Sequence, residues 1–412
     1  MPTASSRTCC HPRRSNRSSS TTTRCEWCVC SFAPEWCLRC VTVRPTLSPP
    51  SVDAAYVDGL IQIAREHDIP HIGVCDAEVL QRARSELLRR KDAGLDDGLP
   101  FTFKNPLRST DPQRAVLGAR SIIVAARSYY SDEPPPSTGP QGRVARYAWT
   151  DHYAPLRAGL RVVARRLRRD GFRAVVFADD NSIVDREVAY RAGLGWFGKN
   201  ANILLPGAGS WFVLGCVVTT APLPPADGPV PDGCGSCRKC VDACPTGAII
   251  APGVIDAGRC LAWIIQKPGV MDRRWRAAIG DRIYGCDDCQ TVCPPTIRFA
   301  SRHPAPAFEM EPWVSLVEIL DASDAEVLRR WGRWYIADRD PRWVRRNALV
   351  ALGNVGDAHD PAVRNCVERY LAVDDAMLRV HAVWAAHRLG LDELLPIDDP
   401  DAIVVEELAA SR

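Results

Sequence analysis

Residues 234–249 read CGSCRKCVDACPTGAI, and residues 283–294 read IYGCDDCQTVCP. The first stretch has the spacing C-x2-C-x2-C-x3-C-P, which is a run of thiolate ligands typical of four-iron clusters. The second stretch has the spacing C-x2-C-x3-C-P, and Cys260 lies between the two. Three thiolates on one short loop hold only one side of a cluster, so the fourth ligand must come from a distant segment. The spacing therefore predicts two 4Fe-4S clusters held by eight cysteines.

The grouping of the ligands follows from the first run. In ferredoxins with two clusters, the fourth cysteine of that run ligates the other cluster. We therefore expect one cluster to be held by Cys234, Cys237, Cys240 and Cys293, and the other by Cys244, Cys260, Cys286 and Cys289. A pair of structural zinc sites is the alternative, but zinc sites usually consist of separated C-x2-C pairs.

The composition of the 412 residues is that of an ordinary soluble globular protein with two or three domains. We expect no membrane span, because the chain contains no run of about 18 apolar residues. The formal net charge is +3, and residues 1–50 carry seven arginines against Glu26 and Glu35. The rest of the chain is therefore slightly acidic, and a nucleic-acid partner would need a local basic patch. No signal-peptide pattern opens the chain, which favours a cytoplasmic protein with reduced cysteines.

The first 51 residues are rich in Ser, Thr, Arg, Pro and Cys and show no sustained periodicity. We expect residues 1–51 to be a disordered extension, or the product of a start codon assigned too early. A four-cysteine zinc site made of Cys25-x2-Cys28 and Cys37-x2-Cys40 is the alternative. Three isolated cysteines are expected to be buried as small apolar residues, namely Cys75, Cys216 and Cys366.

Residues 52–225 alternate between helical and strand patterns, which predicts an α/β domain. The pattern predicts a helix over 52–67 and strands over 71–75, 119–126, 173–178 and 211–220. A second helix carries an apolar stripe made of Leu156, Leu160, Val163 and Leu167, and Gly171 ends it.

Two adjacent carboxylates, Asp179 and Asp180, follow the predicted strand 173–178. Open α/β sheets place their chemistry at that end of a strand. The pair could therefore include a general acid. Alternatively, it could form a turn and cap the helix predicted around 185–192.

The stretch GLGWFGKN, residues 193–200, is rich in glycine. It lacks the G-x4-G-K-S/T spacing of a phosphate-binding loop. It also follows a helix, which excludes a dinucleotide-binding fingerprint. The glycines could let the backbone approach a flat ligand, or they could form a plain tight connection.

The tail of the chain is helical from about residue 306 to residue 412. Residues 344–356 and 378–390 align without a gap at a period of 34, which predicts short helical repeats that stack on each other. Seven arginines in this region could form a patch for an RNA backbone or a solvated face of the repeats: Arg329, Arg330, Arg333, Arg339, Arg342, Arg345 and Arg346.

Taken together, these stretches resemble the epoxyqueuosine reductase family, the cobalamin-dependent enzymes that complete queuosine at the tRNA wobble position. The resemblance covers residues 52–390 and is carried by 193–200, 234–249, 283–294 and RNALVALGN at 346–354. It implies three domains: an α/β cobalamin-binding domain with a nitroreductase-like sheet (52–225), a ferredoxin-like domain with two 4Fe-4S clusters (226–305) and a HEAT-like helical repeat domain (306–412).

The resemblance also implies a chemistry. A base-off cobalamin, reduced through the nearer cluster, would drive two-electron opening and dehydration of the epoxide, while an acid protonates the departing oxygen. The expected partners are tRNA carrying epoxyqueuosine and an external electron donor such as ferredoxin or flavodoxin, because no nicotinamide or flavin signature is evident. The expected state is a cytoplasmic monomer.

The family motif assigns residues to these roles. Aligning its E-R pair with Asp185-Arg186 places the acid at Asp179, with Asp180 as the rival. The resemblance further implies cobalamin contacts from Arg108, Tyr147, Asp179, Ile203, Leu214, Arg282 and Asp287.

The chain departs from the family pattern at two places near the expected substrate. Ser182 stands where the family has a proline, and Ala262-Trp263 stands where it has S-Y. Two other functions therefore stay open. One is a related corrinoid iron–sulfur reductase acting on another substrate, such as an organohalide. The other is an electron carrier attached to a helical scaffold.

Overall fold

The structure is a computed structural model that describes residues 52–410. The predicted extension and its possible zinc ligands, Cys25, Cys28, Cys37 and Cys40, lie outside the described residues. The described residues all belong to one compact unit, so the three domain boundaries stay predictions. No helix between residues 52 and 410 is long and apolar enough to cross a membrane.

The first region, up to residue 225, contains seven strands and seven helices. In chain order they are α1 (Ala54–Arg65), β1 (His71–Asp76), α2 (Gln81–Asp92), α3 (Phe101–Lys104), α4 (Pro106–Ser109), α5 (Pro112–Ala115), β2 (Ser121–Ser128), β3 (Gln141–Val144), α6 (Tyr153–Arg169), β4 (Ala174–Ala178), α7 (Asp185–Arg191), β5 (Trp196–Phe197), β6 (Ile203–Leu204) and β7 (Phe212–Thr219).

Four of these strands form a sheet with the order β1-β2-β7-β4. All of its pairings are antiparallel. The central strands β2 and β7 are mostly buried, which explains the apolar runs that predicted them. The expected strands are present. Because neighbouring strands run antiparallel, however, their carboxyl ends do not meet at one edge of the sheet, where a parallel sheet would place its chemistry. Instead Ala178, the last residue of β4, lies opposite Gly215 in the middle of β7.

Helices cover both faces of this sheet. Ile123 and Ala125 of β2 pack with α1 and α6, whereas Ile122 and Val124 pack with α7 on the other face. The predicted stripe of α6 is fully buried along its whole length, at Leu156, Leu160, Val163 and Leu167. The predicted helix and its inward face are therefore confirmed.

The glycine-rich stretch leads from α7 into the hairpin β5-β6. A Cβ atom on Gly195 would lie 2.2 Å from the carbonyl oxygen of Leu204, and one on Gly198 would lie 2.3 Å from the Leu204 side chain. Contacts inside the turn therefore require these glycines. The structure favours a plain tight connection over close approach to a flat ligand.

The cysteine-rich region is built from short elements. They are α8 (Lys239–Asp242), β8 (Ile249–Ala251), β9 (Val254–Ile255), α9 (Leu261–Ile264), α10 (Arg273–Ile279), β10 (Arg282–Tyr284), α11 (Asp288–Thr291) and α12 (Pro294–Arg302).

The tail adds one strand and six helices: β11 (Trp313–Ser315), α13 (Leu316–Asp321), α14 (Asp324–Trp331), α15 (Arg342–Val355), α16 (Pro361–Leu371), α17 (Ala376–Leu389) and α18 (Ala402–Ala410). The two copies of the 34-residue pattern are α15 and α17, and they pack tightly together. A Cβ atom on Gly353 would lie 2.9 Å from the Cα atom of Ala385. The relation of these helices to HEAT repeats stays a prediction.

A second sheet joins the three regions. Its order is β10-β3-β11, so one strand comes from each region. Strand β3 pairs in parallel with β10 and antiparallel with β11. The cysteine-rich region and the helical tail are thereby held to the first region through backbone hydrogen bonds.

The arginines of the tail mainly serve these internal contacts. Arg345 and Arg346 are buried, and Arg342 forms ion pairs with Asp340 and Asp375. Arg333 donates to the carbonyl oxygen of Trp149 at 3.0 Å. Little of this charge is left for an RNA backbone, which weighs against the proposed patch.

Candidate active site

Two cavities lie among the cysteines, each lined by four of them. The outer cavity, of about 180 Å³, is lined by Cys234, Cys237, Cys240 and Cys293. The inner cavity, of about 390 Å³, is lined by Cys244, Cys260, Cys286 and Cys289. These quartets have the same members as the two ligand sets expected from the sequence.

All eight cysteines are free thiols. Within the described part of the chain, no three His, Cys, Asp or Glu side chains converge as a single metal ion would require. A tetrahedral zinc site draws its four sulfurs to within about 2.3 Å of one ion. Each quartet lines a cavity, as the ligands of a polynuclear cluster would.

The backbone and side chains around the quartets position the thiols. Lys199 donates from Nζ to the carbonyl oxygens of Gly235 and Cys237, at 2.7 and 2.9 Å. Asn200 donates to the carbonyl oxygen of Cys289 at 3.1 Å. The end of the glycine-rich stretch thus fastens one loop of each quartet, a role that the sequence analysis did not predict.

A third cavity, of about 380 Å³, lies beside the sheet and is lined by three tyrosines, Tyr129, Tyr147 and Tyr153. We call it the tyrosine cavity. It shares five lining residues with the inner cavity: Arg186, Asn202, Ala262, Cys286 and Gln290. The thiol of Cys286 therefore belongs to the inner quartet and also borders the tyrosine cavity.

Three of the predicted cobalamin contacts line the tyrosine cavity, namely Tyr147, Ile203 and Leu214. Four others, Arg108, Asp179, Arg282 and Asp287, are not among its lining residues.

Two of these four residues have evident structural partners. Asp287 accepts a hydrogen bond from the backbone N–H of Arg146 at 2.6 Å. Arg282 pairs with Asp288 at 2.6 Å and donates to the carbonyl oxygen of Ile279 at 2.7 Å, at the end of α10. Both side chains hold the walls of the site together.

Asp179 lies directly after β4 and has a left-handed backbone, with φ of +57°. That conformation is uncommon for residues with a side chain, although aspartate adopts it more often than most. The carboxyl group keeps accessible surface, yet partial burial raises its pKa, and Asp151 and Asp180 raise it further while Arg157 opposes them. Asp179 therefore holds its proton to a higher pH than an ordinary carboxyl group.

Asp180 has a different role. Its Oδ1 accepts a hydrogen bond from the backbone N–H of Ser182 at 2.7 Å, which forms a turn. The side chain is exposed. The turn interpretation of this residue is the one its contacts favour.

Two residues that line the tyrosine cavity, Tyr153 and Asp185, were not identified by the sequence analysis as groups that could hold a proton. Burial raises the pKa of Tyr153 far above its usual range, and Asp179 and Asp185 add to that shift. Burial likewise raises the pKa of Asp185 well above its usual range, helped by Asp179. The Oδ1 atom of Asp185 is buried without a hydrogen-bond partner. The motif alignment had used Asp185 only as an anchor.

Trp263, at the second departure from the family pattern, is buried against the first region. Its Nε1 donates to the backbone oxygen and the carboxylate of Asp97, both at 3.2 Å. Lys267 forms an ion pair with the same carboxylate at 2.8 Å. Trp263 thus lines the inner cavity and fixes the segment after α2 to it.

Comparison with family descriptions gives two matches. The description "4Fe-4S double cluster binding domain" matches residues 233–296. The description "Epoxyqueuosine reductase QueG, DUF1730" matches residues 109–180.

Curated relatives align over most of the chain. An epoxyqueuosine reductase of Bacillus anthracis is 33% identical over 345 residues, which cover 81% of this chain and 89% of the relative. An epoxyqueuosine reductase of Lactococcus garvieae is 34% identical over 343 residues, which cover 80% of this chain and 96% of the relative.

Solved structures of similar proteins cover the same span. The epoxyqueuosine reductase of Streptococcus thermophilus has a TM-score of 0.75 at 26% identity and covers 86% of this chain and 98% of its own. An epoxyqueuosine reductase with an epoxyqueuosine-modified tRNA-Tyr stem loop has a TM-score of 0.76 at 28% identity, covering 87% and 98%. The Bacillus subtilis enzyme, with TM-score 0.76 at 29% identity and the coverage 87% and 98%, has an aspartate-bearing catalytic loop swung out of the active site.

Proposed function

The chain belongs to the epoxyqueuosine reductase family, and from this membership we propose that it reduces epoxyqueuosine to queuosine at the wobble position of tRNA, the last step of queuosine biosynthesis. It is an oxidoreductase that acts on tRNA, as its relatives are. One observation carries the proposal: Cys286 borders both the inner cavity and the tyrosine cavity. This shared residue supports electron transfer from a group held by the inner quartet to a reactant in the tyrosine cavity.

The two 4Fe-4S clusters are assigned to the two quartets, with Cys234, Cys237, Cys240 and Cys293 holding one and Cys244, Cys260, Cys286 and Cys289 holding the other. The proposal is supported by the two cavities that these quartets line and by the double-cluster match over residues 233–296. Electrons would enter at the outer quartet and leave through the inner one.

The tyrosine cavity is the proposed site of cobalamin. The proposal is supported by the cavity's mixed lining of β7 residues, Phe212 to Leu214, and tyrosine rings, which is typical of a cofactor site. No histidine lines it within residues 52–410, in keeping with a base-off form that needs no protein ligand. Tyr147, Ile203 and Leu214 would contact the corrin from this lining. When bound, cobalamin supplies the two-electron reduction of the epoxide carbon.

Asp179 is the proposed general acid. Its raised pKa lets it hold a proton to a higher pH than an ordinary carboxyl group, and it directly follows the end of β4. It does not line the tyrosine cavity in this conformation. The swung-out loop of the Bacillus subtilis enzyme supports a segment that moves inward when substrate binds. Arg108, 3.5 Å from Ser182 Oγ, would steady that segment.

The proposed reaction also needs an electron donor and a cellular location that holds its substrate. We propose an external donor such as ferredoxin or flavodoxin, a monomeric state and a cytoplasmic location, where tRNA is the substrate and thiols stay reduced. An organohalide substrate is not favoured, because relatives that align over 80% of this chain are epoxyqueuosine reductases.

The test is a single-turnover assay on tRNA carrying epoxyqueuosine, after anaerobic reconstitution of the clusters, with and without cobalamin. Queuosine formed only with cobalamin present is the expected result. A protein with bound cobalamin and reducible clusters that forms no queuosine would overturn the assigned substrate.

A further inference from the structure

The proposed reaction has a proton requirement that one acid does not meet. Converting an epoxide to an alkene breaks both carbon–oxygen bonds and releases the oxygen as water. The balance is epoxide plus two electrons plus two protons giving alkene plus water, with the electrons coming from the external donor through the clusters. Asp179 holds one proton, so each turnover needs a second proton from another group at the site or from water.

We propose that Asp185 is this second source, and that its carboxyl group delivers the proton that completes the departing water. The inference rests on the proposed function. Asp185 lines the tyrosine cavity, whereas Asp179 does not. It is the first residue of α7 and therefore belongs to a helix packed on the sheet, not to the turn that carries Asp179.

The contacts of Asp185 are those of an acid kept in its neutral form. Its Oδ1 atom is buried and has no hydrogen-bond partner. Its neighbour Arg186 does not pair with it, because that guanidinium donates to the carbonyl oxygen of Ala201 at 3.0 Å. Enclosing a carboxylate oxygen without a partner disfavours the charged form, so it favours the neutral acid.

Glu187, two residues further along α7, shows the contrast. It is also buried, but both of its carboxylate oxygens accept from Arg82. The same helix thus carries one carboxylate that forms an ion pair with an arginine and one for which the described residues show no ion pair. Only the second one borders the cavity.

The charged groups around Asp185 change the pKa of its carboxyl group. Asp179 and Asp180 raise its pKa and Arg186 lowers it, with burial the largest cause. Tyr153 and Cys216 face it as neutral acids, since both have raised pKa values. Tyr153 lines the same cavity, and both aspartates raise its pKa.

The experiment compares Asp185→Asn, Asp185→Glu and the control Glu187→Gln in the reconstituted, cobalamin-loaded enzyme. Single turnover is followed in weakly buffered solution with a pH-indicator dye, which times proton uptake against queuosine formation. We expect Asp185→Asn to slow queuosine formation by about 100-fold and to draw one proton from solution in the same phase as the product. Asp185→Glu and Glu187→Gln should stay within about 3-fold of the wild type.

A second readout does not depend on turnover. The infrared absorption of a protonated carboxyl group in the resting enzyme should weaken in Asp185→Asn and persist in Glu187→Gln. An unchanged rate and unchanged proton timing in Asp185→Asn would overturn the inference, and so would a failure of Asp185→Glu to restore the rate. Absence of queuosine from the wild type would instead count against the proposed function.

Discussion

The guanidinium of Arg346 links the helical tail to the cysteine-rich region, and its removal gives a prediction with a definite size. Arg346 is 1% exposed. It donates to the carbonyl oxygens of Ile265, Lys267 and Gly269 at 2.9, 2.6 and 2.8 Å. These carbonyls lie at and just after the end of α9, where the helix has no donors of its own. No carboxylate pairs with Arg346 in the described part of the chain.

Replacing Arg346 with Met keeps much of the volume and removes the donors. The carbonyl groups of Lys267 and Gly269 then lose this donor, whereas that of Ile265 keeps the Asn347 amide at 2.9 Å. At about 1 kcal/mol apiece, the free energy of unfolding should fall by about 2 kcal/mol. Arg342→Met is the matched control on the same helix. Its ion pairs with Asp340 and Asp375 are half-exposed, and losing them should cost at most about 1 kcal/mol.

Equilibrium unfolding in guanidinium chloride, followed by tryptophan fluorescence under anaerobic conditions, measures both variants. Iron content per chain is a second measure, because Cys260 immediately precedes α9. Arg346→Met should bind less iron than the wild type after identical reconstitution. An unfolding free energy within about 1 kcal/mol of the wild type would refute the reasoning, since it would mean that the carbonyls find other donors.

Three further predictions concern the acid, a buried histidine and the cysteine loops. Asp179→Asn should lower the single-turnover rate by about 100-fold or more with unchanged cluster content, whereas Asp180→Asn should change the rate by less than about 3-fold. The wild-type rate should fall as pH rises through the raised pKa of Asp179, because the acid form is then lost. His381 is buried, accepts from the N–H of Met271 at 3.1 Å and has a pKa well below its usual range, chiefly through burial. Below about pH 6.5 the unfolded chain binds a proton that the folded chain refuses, so stability should fall by up to about 1.4 kcal/mol per pH unit, and His381→Gln should flatten that slope in unfolding curves at pH 7.5 and 5.5. Lys199→Met removes both donors to the loop of the outer quartet, and should lower iron and sulfide content towards that of a single cluster; full occupancy would contradict the role given to Lys199.

The parts of the fold that depend on short-range pattern could be predicted from the sequence. The strands β2 and β7 and the stripe of α6 are apolar runs with a clear period, and they occur where the pattern places them. The cysteine spacing likewise predicted which four thiols line each cavity. In the first case the signal is a local apolar pattern. In the second it is the known rule that the fourth cysteine of the run ligates the other cluster.

Features that depend on packing between distant segments were out of reach. The antiparallel sheet order is one, since strand patterns carry no direction. The burial of Arg345 and Arg346 is another. The sequence suggests that these arginines belong to a charged surface patch, but Arg346 donates hydrogen bonds to carbonyl groups far away along the chain. Asp185 resembled an ordinary helix start, and only the fold shows that its Oδ1 is enclosed without a partner.

The interleaving of the two quartets has a consequence for how the two centres depend on each other. The outer cavity is bordered by the first three cysteines of the region and by the last one, Cys293, while all members of the inner quartet lie between them along the chain. A cluster on the outer quartet would therefore close residues 240–293 into a loop, and every member of the inner quartet lies within that loop. Loss of Cys293 would open this loop, so it should loosen the segment that carries the inner quartet as well as remove one ligand of the outer one.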